Sequence, residues 1–154
     1  MSEFENQQQA PGSHHPNFTG DWKFVKQEGL SKFMKAMDIP WASRKAAWAF
    51  NYGIRKVRHE IVHDGGDVFQ VTVHGPKGSK TIEITIDGTK FVTETERGEV
   101  EASSVWSEDG STICTTLTSV EVEGTRSIQE EDGLMCITQT KKGVTAKRWF
   151  EKKG

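Results

Sequence analysis

Turn signals recur at short, regular intervals through most of the chain. They separate runs in which apolar and polar residues alternate, such as 68–73 and 81–86. Most lie about 10 to 12 residues apart, a spacing typical of antiparallel sandwiches and meandering barrels. We expect about ten strands, and closure into a barrel would hide both sheet edges. The turn signals are Asp64-Gly65-Gly66, Gly75-Pro76-Lys77-Gly78, Asp87-Gly88, Arg97-Gly98, Asp109-Gly110, Glu123-Gly124, Asp132-Gly133 and Lys142-Gly143.

The composition favours a barrel with a partly polar interior. The 154 residues suit one domain, yet only 34% of them are hydrophobic, and the mean hydropathy of -0.62 is low for a solid core. The net charge of -2 gives no indication of nucleic-acid binding. No apolar run approaches the ~20 residues that cross a bilayer, and the N-terminus does not resemble a signal peptide. We therefore expect a cytoplasmic protein in which both cysteines, Cys114 and Cys136, are reduced.

The chain begins with a polar leader, residues 1–16, which we predict to be disordered, and the remaining residues, 17–154, form the predicted barrel domain. His14 and His15 lie in the leader; weak metal binding is one interpretation, and two mobile tail residues is the favoured one. From Phe18 onward the period-2 alternation predicts the first strand.

Two short helices are predicted to interrupt the strands. Leu30, Phe33, Met34 and Met37 have the i, i+3, i+4, i+7 spacing of one helix face. Pro40 then marks the start of a second helix, which we expect to stop near residue 53.

The order of one strand, two helices and nine strands resembles that of the intracellular lipid-binding proteins, which include the fatty acid-binding and cellular retinoid-binding proteins. Phe18-Thr19-Gly20-Asp21-Trp22-Lys23 looks like the opening strand of this family, F-x-G-x-W. Residues 42–47 look like its second helix, and residues 143–152 are similar to its last strand, where an R-x-Y motif holds the ligand carboxylate. The resemblance spans residues 17–153. It implies an all-β, ten-stranded, antiparallel up-and-down barrel with a helix-turn-helix lid between the first two strands.

The last strand carries the main candidate for ligand binding. Alternation places Val144, Ala146, Arg148 and Phe150 on one face, which the resemblance puts inside the barrel. A buried arginine is costly unless it is paired. The carboxylate of a fatty acid or of retinoic acid would suit Arg148, because guanidinium binds carboxylate through two parallel hydrogen bonds.

A second arginine is predicted to converge on the first. If Asp132-Gly133 is a two-residue turn, Ile137 pairs with Ile128 and Gln139 pairs with Arg126, and all four side chains face inward. The resemblance implies another arginine at about this place in the family. We therefore expect Arg126 to assist Arg148 directly or through water, with Ile137 and Gln139 beside them.

Phe150 departs from the family pattern. Carboxylate-binding members usually have tyrosine at this position, and retinol-binding members often combine phenylalanine with glutamine in place of the arginines. Loss of the hydroxyl would weaken binding by roughly 1.5–3 kcal/mol unless Gln139 or water replaced it. An anionic ligand is still favoured, and Phe150 would pack beside its head group.

The lid is expected to cover the ligand portal. Phe33, Met34 and Met37 would face the cavity mouth, where flexible methionines suit a variable ligand chain; the alternative is that they only pack the helices onto the barrel. Residues 21–60 contain nine basic and four acidic side chains. The rest of the barrel, from residue 61, contains eleven basic and sixteen acidic side chains. A basic lid would favour transient contact with anionic membranes, although a solvated face without that role fits equally well.

Other functions find less support in the sequence. His59, His63 and His74 show no metal-site spacing and are assigned to ordinary surface or turn positions. We find no catalytic set, so we predict no enzyme activity, no metal and no cofactor, and we expect a monomer. Two alternatives stay open: a carrier of a neutral retinoid or sterol-like ligand, and a scaffold that binds protein partners through outward residues such as Lys147 and Trp149.

Overall fold

The computed structural model describes residues 15–95 and 98–153. Over these residues the chain forms ten strands, numbered here in chain order: β1 Gly20–Glu28, β2 Arg58–His63, β3 Val68–Gly75, β4 Gly78–Thr85, β5 Phe91–Thr95, β6 Gly98–Trp106, β7 Ile113–Leu117, β8 Val122–Ile128, β9 Met135–Lys141 and β10 Val144–Lys152. Two helices, α1 Leu30–Ala36 and α2 Trp41–Ala49, connect β1 to β2. Short 3-10 turns lie at Asn51–Gly53 and Thr118–Val120.

All ten strands belong to one antiparallel sheet, in the order β4-β3-β2-β1-β10-β9-β8-β7-β6-β5. Neighbouring strands in the sheet are consecutive in the chain, except that β1 also pairs with the last strand, β10. The sheet curls into a nearly closed barrel whose single break, within the described residues, lies between β4 and β5. The predicted all-β barrel with a two-helix lid is confirmed.

The lid begins at a glycine that lies against the last strand. Gly29 precedes α1 with φ +79°, and its backbone is so close to Thr145 that a Cβ atom would lie 2.5 Å from the Thr145 carbonyl oxygen. Pro40 precedes α2, which ends at Ala49. Helix α1 packs on β9 and β10. No helix in the described ranges has both the length and the apolar character needed to cross a bilayer.

The interior is divided into two apolar clusters. The cluster at the α1 end joins Phe33 and Met37 to inward residues of the barrel wall, which are Val100, Ala102, Leu117, Val122 and Ala146. The cluster at the other end contains Phe18, Trp22, Phe24, Ile61, Phe69, Val71, Ile86, Ile113, Met135, Ile137 and Phe150. Ile137 and Ala146 mark the level at which the two clusters meet.

The start of the described chain packs onto the barrel. His15 belongs to the segment predicted to be a disordered leader, but its ring stacks on Trp106 with centroids 3.8 Å apart and planes 3° from parallel. Its Nδ1 also lies 2.9 Å from the carbonyl oxygen of Gly110. His15 therefore has an aromatic partner and a backbone partner on the barrel. Residues 1–14, including His14, lie outside the described residues.

The predicted pairing of β8 with β9 is wrong by two residues. Ile137 pairs with Arg126, and Gln139 pairs with Gly124. The hairpin closes at Gln129, whose N–H donates to the carbonyl of Leu134 at 2.8 Å, so the loop has four residues rather than two. An even shift keeps every side chain on its predicted face, and Arg126 still points inward.

Candidate functional site

Two arginines flank one isoleucine on the inner wall. Ile137 of β9 pairs with Arg126 on β8 and with Arg148 on β10. Strands lie about 4.8 Å apart, so the two arginine Cα atoms are separated by roughly 10 Å. Both side chains emerge on the inner face at one level of the barrel, where the two apolar clusters meet.

Arg126 reaches across the interior to the opposite wall. Its guanidinium carbon lies 5.1 Å from the centre of the Phe69 ring on β3. Its Nη1 lies 3.4 Å from Nδ1 of His59 on β2 and 3.5 Å from the sulfur of Met135. The Arg126 charge therefore contacts an aromatic face and two weak or neutral acceptors, the His59 nitrogen and the Met135 sulfur.

Arg148 lies among aromatic rings. Its guanidinium carbon is 6.0 Å from the centre of Phe24 and 5.8 Å from that of Phe150. Those two rings stack on each other with centroids 5.2 Å apart. Phe150 is fully buried.

Both guanidinium groups are desolvated. Burial lowers the pKa of Arg148, and burial together with the charge of Arg148 lowers the pKa of Arg126 to about 9. Each group is still charged at pH 7. Among the described residues no carboxylate forms an ion pair with either one; the ion pairs found there are on the outer surface, such as Arg58–Asp21.

The two arginines nevertheless keep accessible surface, since each is only half-buried. The inner wall at this level therefore carries two positive charges and several aromatic rings, at the junction of the two apolar clusters.

His59 is the site residue that sequence analysis missed. The prediction that His59 is an ordinary surface or turn residue is wrong, because only 5% of it is exposed. Its ring centroid lies 4.5 Å from that of Phe150. Burial, followed by the charges of Arg126 and Arg148, places the pKa of His59 well below its usual value, so the imidazole is neutral at pH 7.

The signal for His59 was present in the alternation of β2. His59, Ile61 and His63 share one face, and Ile61 is plainly apolar. His63 is buried as well: its Nδ1 accepts from the N–H of Phe18 at 3.1 Å, and its Nε2 lies 2.8 Å from the carbonyl oxygen of Gly66. His63 therefore fastens the N-terminal segment to the barrel, whereas His74 is on the surface beside Glu60.

The remaining predicted residues lie toward the lid. Gln139 pairs with Ala146 and Gly124, which puts it on the inner wall one step nearer α1 than the arginines. Phe33 and Met37 are buried against the wall, and Met34 packs at the edge of the same cluster. Phe33 and Met37 therefore pack α1 onto this end of the barrel.

Comparisons with known proteins agree with the fold. No model of a known protein family matches the sequence. The chain is 28% identical to cellular retinoic acid-binding protein 2 of Rattus norvegicus over 100 residues, which cover 64% of this chain and 69% of the relative. It is 38% identical to iota-crystallin of Gonatodes vittatus over 50 residues, which cover 32% of this chain and 71% of that relative.

Two solved structures have the same fold. The REP1-NXSQ fatty acid transporter matches with a TM-score of 0.72 and 21% identity, covering 88% of this chain and 96% of the other. A tyrosine-to-phenylalanine variant of that transporter matches with a TM-score of 0.72 and 22% identity, covering 88% of this chain and 97% of the other. The chain has ten strands, a helical lid between the first two strands, and sequence similarity to these relatives. It therefore belongs to the intracellular lipid-binding proteins.

Proposed function

We propose that this protein is a non-enzymatic carrier that binds a long-chain fatty acid or a similar hydrophobic carboxylate inside the barrel and transports it, as a monomer, through the cytosol. The observation that carries the proposal is the pair of desolvated guanidinium groups, Arg126 and Arg148, which lack a carboxylate partner among the described residues. A carboxylate ligand would supply that partner.

The chemistry of the two-arginine site suits such a head group. An arginine can bind a carboxylate through two parallel charge-assisted hydrogen bonds, and a desolvated surrounding strengthens the attraction. In this proposal Arg148 holds the carboxylate directly, Arg126 assists it directly or through water, and Phe150 packs beside it. The hydrocarbon chain would extend past Gln139 and Ile137 toward the cluster that contains Phe33, Met34 and Met37.

The names of the relatives favour a carboxylic acid and a carrier. The rat relative is named for retinoic acid, and the solved neighbours are named as transporters of fatty acid. Both ligands combine an apolar body with one carboxylate, which is the combination that two arginines within an apolar barrel would select.

The alternatives fit the site less well. A neutral retinoid or sterol would leave two buried charges unpaired, which costs several kcal/mol per ion. The scaffold alternative relied on Trp149 as an outward contact residue, yet only 8% of Trp149 is exposed and the Nζ of Lys26 lies 4.5 Å from the centre of its ring.

Delivery by contact with anionic membranes forms a further part of the proposal. Trp41, Trp48 and Phe50 each expose more than half of their surface around α2. Lys45 lies over Trp41 at 5.0 Å, and Lys56 lies over Phe50 at 5.1 Å. Exposed aromatic rings beside ammonium groups suit the interface between acidic head groups and acyl chains.

Native mass spectrometry of delipidated protein tests the binding proposal. The protein is exposed to a mixture of oleate, retinoic acid and retinol, in parallel with Arg148→Ala. We expect one acid to bind the wild type stoichiometrically and to be lost from the variant. Binding of retinol alone, unaffected by the substitution, would favour the neutral-ligand alternative, and no binding at all would favour the scaffold.

Co-sedimentation with vesicles tests the membrane contact. We expect retention on phosphatidylserine vesicles but not on phosphatidylcholine vesicles, and loss of retention in the double variant Trp41→Ala, Trp48→Ala. Val62→Ala is the matched control, because Val62 is also exposed but lies on β2, outside the lid. Equal retention of all three proteins would contradict the role of α2.

A further inference from the structure

A polar side chain, that of His59, lies beside Phe150, whose ring lacks a hydroxyl. The family resemblance implies a hydroxyl donor at position 150, where this chain has phenylalanine. His59 contacts that phenyl ring, with centroids 4.5 Å apart, and belongs to a strand remote from it in sequence. The inference drawn from this contact rests on the proposed function, since it concerns the same ligand.

The tautomer of His59 follows from its neighbour. A guanidinium has only donors, so the Nδ1 atom of His59, 3.4 Å from Nη1 of Arg126, acts as the acceptor. The ring is neutral, and its single proton is then on Nε2. Among residues 15–95 and 98–153 no acceptor is found for that N–H, although His59 is more than nine-tenths buried. A buried donor without an acceptor is costly, and a ligand oxygen would satisfy it.

We propose that His59 is a ligand-binding residue whose Nε2–H donates a hydrogen bond to the anionic head group held by Arg126 and Arg148. His59 thereby replaces the hydroxyl that Phe150 lacks. The same ring orients Arg126 through Nδ1, so that one side chain links the second arginine to the ligand.

The electrostatic surroundings of His59 make the bound state recognisable. The charged groups that face it are Arg126 from β8 and Arg148 from β10. Its partners on the adjacent strands, Trp22 on β1 and Val73 on β3, carry no charge. A bound carboxylate would offset both arginine charges, so ligand binding raises the pKa of the imidazole.

Two substitutions separate hydrogen bonding from packing. His59→Leu removes both ring nitrogens, whereas His59→Gln keeps an N–H near the position of Nε2 without a titrating group. We expect His59→Leu to weaken oleate or retinoic acid binding at least about tenfold, as loss of a hydrogen bond to a charged group does. We expect His59→Gln to stay within a few-fold of wild type. His74→Gln, on the surface, is the control and leaves the affinity unchanged.

Nitrogen NMR of histidine-labelled protein gives a readout that a structural role would not move. We expect the Nε2 resonance of His59 to shift when the acid binds and its pKa to rise relative to the free protein, whereas retinol produces neither change. If the acid binds but His59 resonances and the affinity of His59→Leu stay as in wild type, the role of His59 is refuted and the carrier function stands. If the wild type binds no acid, the carrier function and the role of His59 are both refuted.

Discussion

The guanidinium of Arg126 lies 5.1 Å above the ring of Phe69, on the opposite wall of the barrel. The strands that carry them, β8 and β3, are separated by four other strands in the sheet. The arginine therefore spans the interior, and its charge contacts an aromatic face. A carboxylate would bind that charge more strongly than the aromatic face does. A substitution that removes the charge of Arg126 should therefore stabilise the ligand-free protein and weaken its affinity for an anion.

Substitution of Arg126 by methionine should stabilise the ligand-free protein. The change removes a buried charge without an ionic partner and keeps an unbranched side chain of similar length, so we expect the free energy of unfolding to rise by about 1–4 kcal/mol. Urea denaturation of delipidated protein measures it, and native mass spectrometry should show that acid binding is lost. Arg58→Met is the control, because Arg58 is a surface residue paired with Asp21 at 3.1 Å and should change stability by less than about 1 kcal/mol. A less stable Arg126→Met protein would contradict this prediction.

The ligand-free protein should lose stability in mild acid because of His59. The unfolded imidazole titrates near pH 6.5, whereas burial and the two arginines hold the folded pKa well below that. Between these values the unfolded chain binds a proton that the folded chain does not. The contribution of His59 is therefore complete above about pH 6.5 and is lost as the pH falls toward the folded pKa. Urea denaturation at several pH values from 7.5 to 5.0 should show a steeper loss of unfolding free energy for wild type than for His59→Gln. Parallel losses in the two proteins would contradict the role of His59 in this pH dependence.

The period-2 alternation predicted most of the strands, and the family resemblance added which face of β10 lies inside. Arg148 and Phe150 both lie inside the barrel, although the alternation is disturbed at Trp149, which is buried and adjoins a register shift between β10 and β1. The register of β8 was missed because Asp132-Gly133 lies within a four-residue loop, which the dipeptide alone does not distinguish from a two-residue turn. The inward direction of Arg126 was still predicted, since a shift of two residues preserves the face.

The contacts across the barrel could not be predicted from the sequence. His59 and Arg126 are 67 residues apart, and only the curvature of the whole sheet brings them together. Alternation with Ile61 indicates that His59 faces inward, but it does not indicate which residue His59 will contact. The same holds for the stacking of His15 on Trp106, because neither residue belongs to a motif.

The segment before β1 should be essential for stability. Phe18 is fully buried, with its ring centroid 5.8 Å from that of Phe69, and its carbonyl accepts from the indole N–H of Trp22 at 2.9 Å. Phe18→Ala should lower the free energy of unfolding by about 3–5 kcal/mol, the usual cost of deleting a buried phenylalanine. Val62→Ala, at an exposed site, should stay within about 0.5 kcal/mol. Similar urea midpoints for the two variants would show that Phe18 does not belong to the core.

Gly29 should control how firmly the lid is held on the barrel. A methyl group there would lie 2.5 Å from the Thr145 carbonyl oxygen, and the positive φ of +79° adds strain. Gly133→Ala is the matched control, because Gly133 has φ +73° but nothing within 4 Å of its added Cβ. Both variants carry the cost of about 1–2 kcal/mol for a left-handed alanine, and only Gly29→Ala also pushes α1 away from β10. We therefore expect faster amide hydrogen exchange in α1 and faster ligand release for Gly29→Ala alone, measured by exchange mass spectrometry and stopped-flow displacement. Equal exchange and release in the two variants would mean that the contact between Gly29 and Thr145 does not hold the lid closed.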